Sequence, residues 1–344
     1  MRTLVRIFAA SIVLSAATAL IAQQPEIVHS QLKTQTVDHG LSEALDGLKT
    51  QIGTTWVGYS IPVKERVSSG WGANRVAYLE GDNSYTSSDS SKEDTKSFDH
   101  AVILLKIADG AVTRIHVENP DRTLDAGGLP LVWLNGVNED ESVRVLADLV
   151  RQNDTEHLHD SAIFAISIHQ TPAATGALVN LAGPGNDLKI REKAAFWLAN
   201  QRGTEGFQAI QHLARTEGDD KFREKLTFDL TLTKDPQGLT ELIRMAHEDA
   251  SPQVRKQAQF WMANKGGKKV VAELREAASN DPDTDVRKSA VFALSRLPGD
   301  EAATQLIAVA DSSRNPEVRR QAIFWLGQSS DPRALDYLTR LLKQ

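Results

Sequence analysis

Apolar and polar positions fall into two regimes along the chain. From about residue 140 onward, apolar residues return every three or four positions, the spacing of one helix face. That pattern itself repeats. Phe164, Phe196, Phe228, Phe260, Phe292 and Phe324 stand at a constant step of 32 residues. Nine residues before each lies Thr155, Asp187, Asp219, Ser251, Asp283 or Asn315. Each of these side chains has an oxygen able to accept from the free N–H groups of a first helical turn. Pro252 and Pro316 directly follow their caps, where a missing N–H costs nothing.

Within each capped helix the core face is an i, i+4, i+8 row. Leu158, Ile190, Phe222, Val254, Val286 and Val318 open it. Ala162, Ala194, Leu226, Ala258, Ala290 and Ala322 continue it, and Ile166, Leu198, Leu230, Met262, Leu294 and Leu326 complete it. Breakers such as Lys234-Asp235-Pro236, Lys265-Gly266-Gly267 and Asp331-Pro332 end the first helix. A second helix follows, with Leu178, Ile210, Leu242, Leu274, Leu306 and Leu338 in register. Two helices in each unit, with no insertions, predict an α-solenoid of about six two-helix repeats over residues 139–344. A further helix at about Asp140 to Gln152, with Leu146, Leu149 and Val150 in second-helix phase, brings the array to roughly thirteen helices.

Ahead of the array the period changes. Thr54 to Val63, Arg75 to Leu79 and Leu131 to Leu134 read as strands. His100 to Ile107 and Val112 to Glu118 flank Ala108-Asp109-Gly110-Ala111, a β-hairpin signature. Leu41 to Lys49 reads as a short helix, and the Ser/Asp/Lys-rich stretch between Gly81 and Asp99 as a loop. Residues 41–138 are therefore expected to form a small antiparallel β-rich domain, with residues 23–40 as a linker. The whole fold is mainly α.

The segment Ser251-Pro252-Gln253-Val254-Arg255-Lys256-Gln257-Ala258 resembles the HEAT repeat, in the short variant named after phycobilisome lyases. Asn315-Pro316-Glu317-Val318-Arg319-Arg320-Gln321-Ala322 and Asp331-Pro332-Arg333-Ala334-Leu335 resemble it equally. The resemblance covers residues 140–344 and implies the solenoid fold. It is nearly silent on function, since such arrays serve many unrelated partners.

The N-terminus adds a destination. Arg2 and Arg6 precede an apolar run from Ile7 to Leu20, and small residues Ala17, Ala19 and Ala22 lead into Gln23-Gln24-Pro25. This is the plan of a secretory signal peptide over residues 1–22, which places the mature protein in the periplasm or outside the cell without membrane insertion. There is no cysteine, which removes disulfides, thiolate metal sites and a Cys nucleophile. Loss of Arg2 and Arg6 takes the net charge from −6 to −8. A mildly acidic protein is a poor nucleic-acid partner.

Candidate chemistry is sparse. His157 and His159 are two residues apart, so they diverge by about 200° around a helix and do not chelate a metal with nearby His169. Asp281-Pro282-Asp283-Thr284-Asp285 mimics the start of a calcium loop, but Val286 and Phe292 occupy the positions that need Gly and Glu. His116, with Arg114 and Glu118 on one strand face, reads as solvated polar surface. No nucleophile elbow, phosphate loop or zinc-protease helix occurs. The expectation is a protein that is not an enzyme, with no catalytic residue, metal or cofactor.

Two columns remain. Arg191, Arg223, Arg255, Arg287 and Arg319 recur at the repeat step and are expected to pair bidentately with the next repeat's acidic cap or loop carbonyls. The phenylalanines stand about 200° from the core stripe, so they either pack between repeats or form a surface stripe. Trp197, Trp261 and Trp325 follow Phe in alternate units, where Ala165, Asp229 and Ala293 stand in the others. Phe196, Phe228, Phe260, Phe292, Trp197 and Trp261 are thus the candidate partner-binding residues of a protein-binding scaffold. Two alternatives stay open: an accessory role like that of the HEAT-type bilin lyases, and binding of a small ligand or cell-wall component by the β-rich domain.

Overall fold

The computed structural model describes residues 24–68, 76–81, 97–152, 155–298 and 300–343. The expected leader and most of the expected loop at 81–99 lie outside the described residues.

The N-terminal region is β-rich, with strands β1 (Ile27–Val28) and β2 (Leu32–Thr36), helix α1 (Leu41–Lys49), and then β3 (Thr55–Ser68), β4 (Val76–Tyr78), β5 (Ser97–Ala108), β6 (Ala111–Glu118), β7 (Thr123–Asp125) and β8 (Leu131–Asn135). The hairpin between β5 and β6 turns on Asp109 and Gly110, both at positive φ, as a two-residue hairpin loop requires. The sheet is not purely antiparallel as expected. Its order is β2-β8-β3-β5-β6, with β2, β8 and β3 parallel and β3, β5 and β6 antiparallel. Residues 23–40 also depart from a linker. They supply β1 and β2, and β1 joins β7 and β4 in a second, parallel sheet. The physical reason lies in β8, where Leu131, Val132, Trp133 and Leu134 are all buried. A strand buried on both faces is an interior strand, and it needs β2 on its free edge.

The larger sheet separates two cores. Trp56, Val102, Leu104, Leu131 and Trp133 pack beneath the smaller sheet. Tyr59, Ile61, Ile103 and Leu105 face the other way, into a core continuous with the helices.

Thirteen helices follow among the described residues: α2 (Glu139–Gln152), α3 (Glu156–Ile168), α4 (Pro172–Ala182), α5 (Leu188–Gln201), α6 (Gly203–Thr216), α7 (Asp220–Leu232), α8 (Gln237–Glu248), α9 (Pro252–Gly266), α10 (Val271–Asn280), α11 (Thr284–Ser295), α12 (Glu301–Ser312), α13 (Pro316–Gly327) and α14 (Pro332–Leu341). No helix among the described residues is long and apolar enough to cross a membrane. All six expected caps precede their helices. Asp187, Asp219, Asp283 and Asn315 accept from first-turn N–H groups, whereas Ser251 Oγ turns instead to Asp220 Oδ2 at 3.2 Å. The stripe closes the core as expected, with Ala162, Ala194, Leu226, Ala258, Ala290 and Ala322 fully buried; Ile190 is half-exposed.

Odd-numbered helices from α3 to α13 form one layer and the even-numbered ones a second. Neighbours in the first layer stand closer together than neighbours in the second, as on the inner side of a curved array.

Candidate partner-binding face

The inner layer is held at a fixed spacing by its arginine column. Arg223 donates from Nε and Nη2 to the two Asp249 oxygens at 2.9 and 3.0 Å. Arg255 does the same to Asp281 at 2.8 and 3.0 Å, and Arg191 pairs with Glu217. Each acid stands 26 residues ahead, in the turn that ends the unit's second helix. The same carboxylates accept from the backbone N–H of Ser251 and Asp283, and Arg255 Nη1 reaches the Asp249 carbonyl at 2.8 Å. One guanidinium thereby joins a helix to the turns on both sides of it. The bidentate pairing expected of the column is present at Arg223 and Arg255, but the acids stand two residues before the caps expected to accept, and these paired charges are not a free anion stripe.

Position two beyond the buried alanine turns each phenylalanine away from the second layer. Phe164, Phe196, Phe228, Phe260 and Phe292 are half-buried, and Phe324 is 53% exposed. Both expected arrangements are present in part. One edge of each ring packs in a seam, and the rest faces solvent.

The tryptophans make the seams. Trp197 lies 4.9 Å from Phe164 on the preceding helix and 5.0 Å from its own neighbour Phe196. Trp261 lies 4.8 Å from Phe228 and 4.9 Å from Phe260, and Trp325 lies 5.0 Å from both Phe292 and Phe324. Where Ala293 replaces tryptophan, Phe260 and Phe292 stack directly at 6.2 Å and 7°. Tilted, edge-on and offset-stacked rings at these separations attract beyond the area they bury. The alternation of tryptophan with smaller residues is therefore a way to fill every other seam. All six candidate residues, Phe196, Phe228, Phe260, Phe292, Trp197 and Trp261, lie on this one face.

Other candidates lie elsewhere. His116 is covered, not solvated as expected, because the smaller sheet lies over that face. Its ring meets Trp56 edge-on at 5.5 Å, and burial holds its pKa down to about 4. On the same strand Glu118 is buried and accepts from Arg122 at 2.7 Å. His159 lines an open groove of about 720 Å³ with Arg151, Glu156, Asp160, Lys189 and Lys193. Two cations there are already paired, Lys189 with Glu156 at 3.0 Å and Lys193 with Asp160 at 2.8 Å.

His169 belongs to a group that spacing along the chain does not predict. Tyr59, Ser142, His169 and Arg202 are all fully buried where the sheet meets the array. His169 Nδ1 lies 2.7 Å from the Ala165 carbonyl, which only accepts, so Nδ1 carries the proton. Nε2 then accepts from Ser142 Oγ at 2.9 Å, and Ser142 accepts from Tyr59 Oη at 2.8 Å. Burial pushes the His169 pKa down to about 4, which keeps the ring neutral.

A sequence model of HEAT repeats matches residues 239–314, and a model of the PBS lyase HEAT-like repeat matches residues 318–344. The C-terminal region is therefore HEAT-like. No curated protein is significantly similar to the chain. Among solved structures, human deoxyhypusine hydroxylase is 18% identical over 60% of this chain and 80% of its own, with a TM-score of 0.33. The complex of CpcE and CpcF of phycocyanin lyase from Nostoc sp. PCC7120 is 22% identical over 46% of this chain and 100% of its own, with a TM-score of 0.34. A designed self-assembling cyclic homooligomer is 18% identical over 60% and 71%, with a TM-score of 0.13. These likenesses concern the helical-repeat fold. The expectation that the chain is not an enzyme is corrected: the similar structures include a hydroxylase and a lyase.

Proposed function

We propose that this chain is a protein-binding scaffold of six HEAT-like units that acts outside the cytoplasm and takes its partner along the inner face of the array. The observation that carries the reading is the row of rings from Phe164 to Phe324, one in each inner-layer helix, the first five half-buried and the last exposed. Packed on one edge, these rings are already ordered, so a partner that covers them gains apolar burial with little further loss of side-chain freedom. The basic, apolar and small-residue order of residues 1–22 supports export. The β-rich unit takes in β1 to β8 and the array α2 to α14.

Photo-crosslinking in the native envelope tests this. A photoreactive residue at Phe228 or Phe260 is expected to yield a discrete protein adduct, and one at exposed Thr240 of α8 is not. Equal adducts from both layers, or none from the inner layer, would remove the inner face as the docking surface. A tetrapyrrole absorbance band carried by the purified protein would favour the bilin-lyase type of role instead.

A further inference from the structure

The row of rings is broken at one seam among the described residues. Ring contacts link α3 to α5, α7 to α9, α9 to α11 and α11 to α13, but none links Phe196 of α5 to Phe228 of α7. The position that Trp197 and Trp261 hold in their helices is Asp229 in α7. Trp197 and Trp261 both turn toward the helix before their own. Asp229 is directed likewise toward α5, where Glu192 lies close enough to act on its charge.

Asp229 is 4% exposed. Among the described residues it makes no hydrogen bond or ion pair, and neither carboxylate oxygen is sealed from the surface. A buried, unpartnered carboxyl is costly, and it is relieved by a proton or by a cation. Glu192 of α5 and Lys225 of its own helix are the charged groups that act on it, and Lys225 is not within ion-pair distance. Burial, reinforced by Glu192, raises the Asp229 pKa to about 8, so the acid holds its proton at neutral pH while no cation is present.

We infer that the seam between Phe196 and Phe228 is a subsite for a cationic side chain, lysine or arginine, presented by the partner protein. The inference rests on the proposed inner-face docking and names the chemistry of one contact within it. Two acidic residues and two flanking aromatic rings suit a monovalent charge on an apolar stem, since ring faces attract cations and cover methylene groups. A hard divalent ion instead demands six or more oxygen ligands, which this seam does not offer.

The test is calorimetric titration of the intact mature protein at pH 7 with a blocked Leu-Arg-Leu amide and its neutral Leu-norleucine-Leu counterpart. Each is run in two buffers of different ionisation enthalpy. The arginine peptide is expected to bind about tenfold tighter than the neutral one, the scale of a charge-assisted hydrogen bond, and to release a proton. Asp229→Asn is expected to remove both the preference and the proton release, with neutral-peptide binding and the melting temperature not reduced. Phe228→Ser is expected to weaken both peptides. Equal affinities for the two peptides, a preference that survives Asp229→Asn, or no binding of the arginine peptide at millimolar concentration would each overturn the subsite. In the first two of these cases the peptides still bind, so inner-face docking is left standing. Loss of the selective Phe228 and Phe260 crosslinks would instead remove that docking.

Discussion

Arg287 marks where the inner-layer clamp runs out. Arg191, Arg223 and Arg255 find a carboxylate 26 residues ahead, but for Arg287 that position is Ser313. Arg287 Nη2 turns back to Thr284 Oγ1 at 2.8 Å, and its Nε is buried without a partner. An enclosed N–H that gave up water without gaining an acceptor is a net loss. Ser313→Asp would offer Arg287 the two oxygens that Asp249 and Asp281 give their arginines. It is expected to raise stability by about 1 kcal/mol, the scale of a well-oriented but partly exposed pair. A urea midpoint that rises for Ser313→Asp and not for Ser313→Asn would bear this out; an unchanged midpoint in both would mean that the last units sit at a different spacing. The arginines were legible in the sequence because they recur at a fixed step. Their acids were not, because the column passes from Glu217 to Asp249 and Asp281 and then to Ser313, and only the folded turn brings them together.

At the scale of elements, what could be read depended on how local the cause was. Caps and stripes act within one or two turns of helix, so Asp187, Asp283 and the alanine column announced their helices directly. Strand partners are set over long separations. β2 pairs with β8 about a hundred residues later, and the polar Leu32–Thr36, exposed along its length, carries no alternation that would mark it as a strand. The Leu131–Leu134 run did hold a usable signal, since four apolar residues in succession imply burial on both faces. The aromatic face was only half legible. The step placed the six rings in line, but the role of Trp197 and Trp261 as seam fillers depends on interhelix distance. Asp229 stood out only as a column exception, and its lack of a partner is a property of the fold. Two caps that look alike in sequence should also behave differently. Asp283 accepts from the Asp285 and Val286 N–H groups at 2.7 and 3.1 Å, so Asp283→Ala is expected to cost about 0.5–2 kcal/mol. Ser251 makes no cap bond and is followed by Pro252, so Ser251→Ala should cost a few tenths of a kcal/mol at most. Hydrogen exchange on both variants checks this, with faster exchange confined to α11 and its neighbours in the first. Equal losses in the two would mean that the cap bonds contribute little here.

Taken as a whole, the molecule is joined across the line where strands give way to helices. Val63 of β3 bridges to His169, and the Gln170 N–H donates to the Pro62 carbonyl at 3.2 Å. The Arg202 cation, fully buried, is shared among the carbonyls of Ser167, His169 and Thr171 at 3.2, 2.6 and 3.0 Å, at the C-terminal end of α3 where the helix dipole favours it. His169 stands between this cation and the Ser142–Tyr59 chain, and it must stay neutral for Nε2 to accept. Its pKa of about 4 in the fold lies below the ordinary 6.5. Between these values the unfolded chain binds a proton that the folded one refuses, so its contribution is full above about 6.5 and is lost as pH falls toward 4. The loss is on the order of 3 kcal/mol. His116 has the same sign. Asp229 has the opposite one, because its pKa is raised from 3.8 to about 8; it favours the fold at low pH and loses that contribution as pH rises through 8. Denaturation is therefore best followed in Asp229→Asn, with and without His169→Gln, from pH 8 to pH 4.5. The His169→Gln protein should begin less stable at pH 8 and lose less on acidification, with His116 supplying the residual slope. Because the junction chain and the core are shared, acid should raise hydrogen exchange in β3, β5, α2 and α3 together. A sheet that opens in its own transition while α3 keeps its protection would show that the junction does not couple the two regions, and would leave β1 to β8 an independent folding unit.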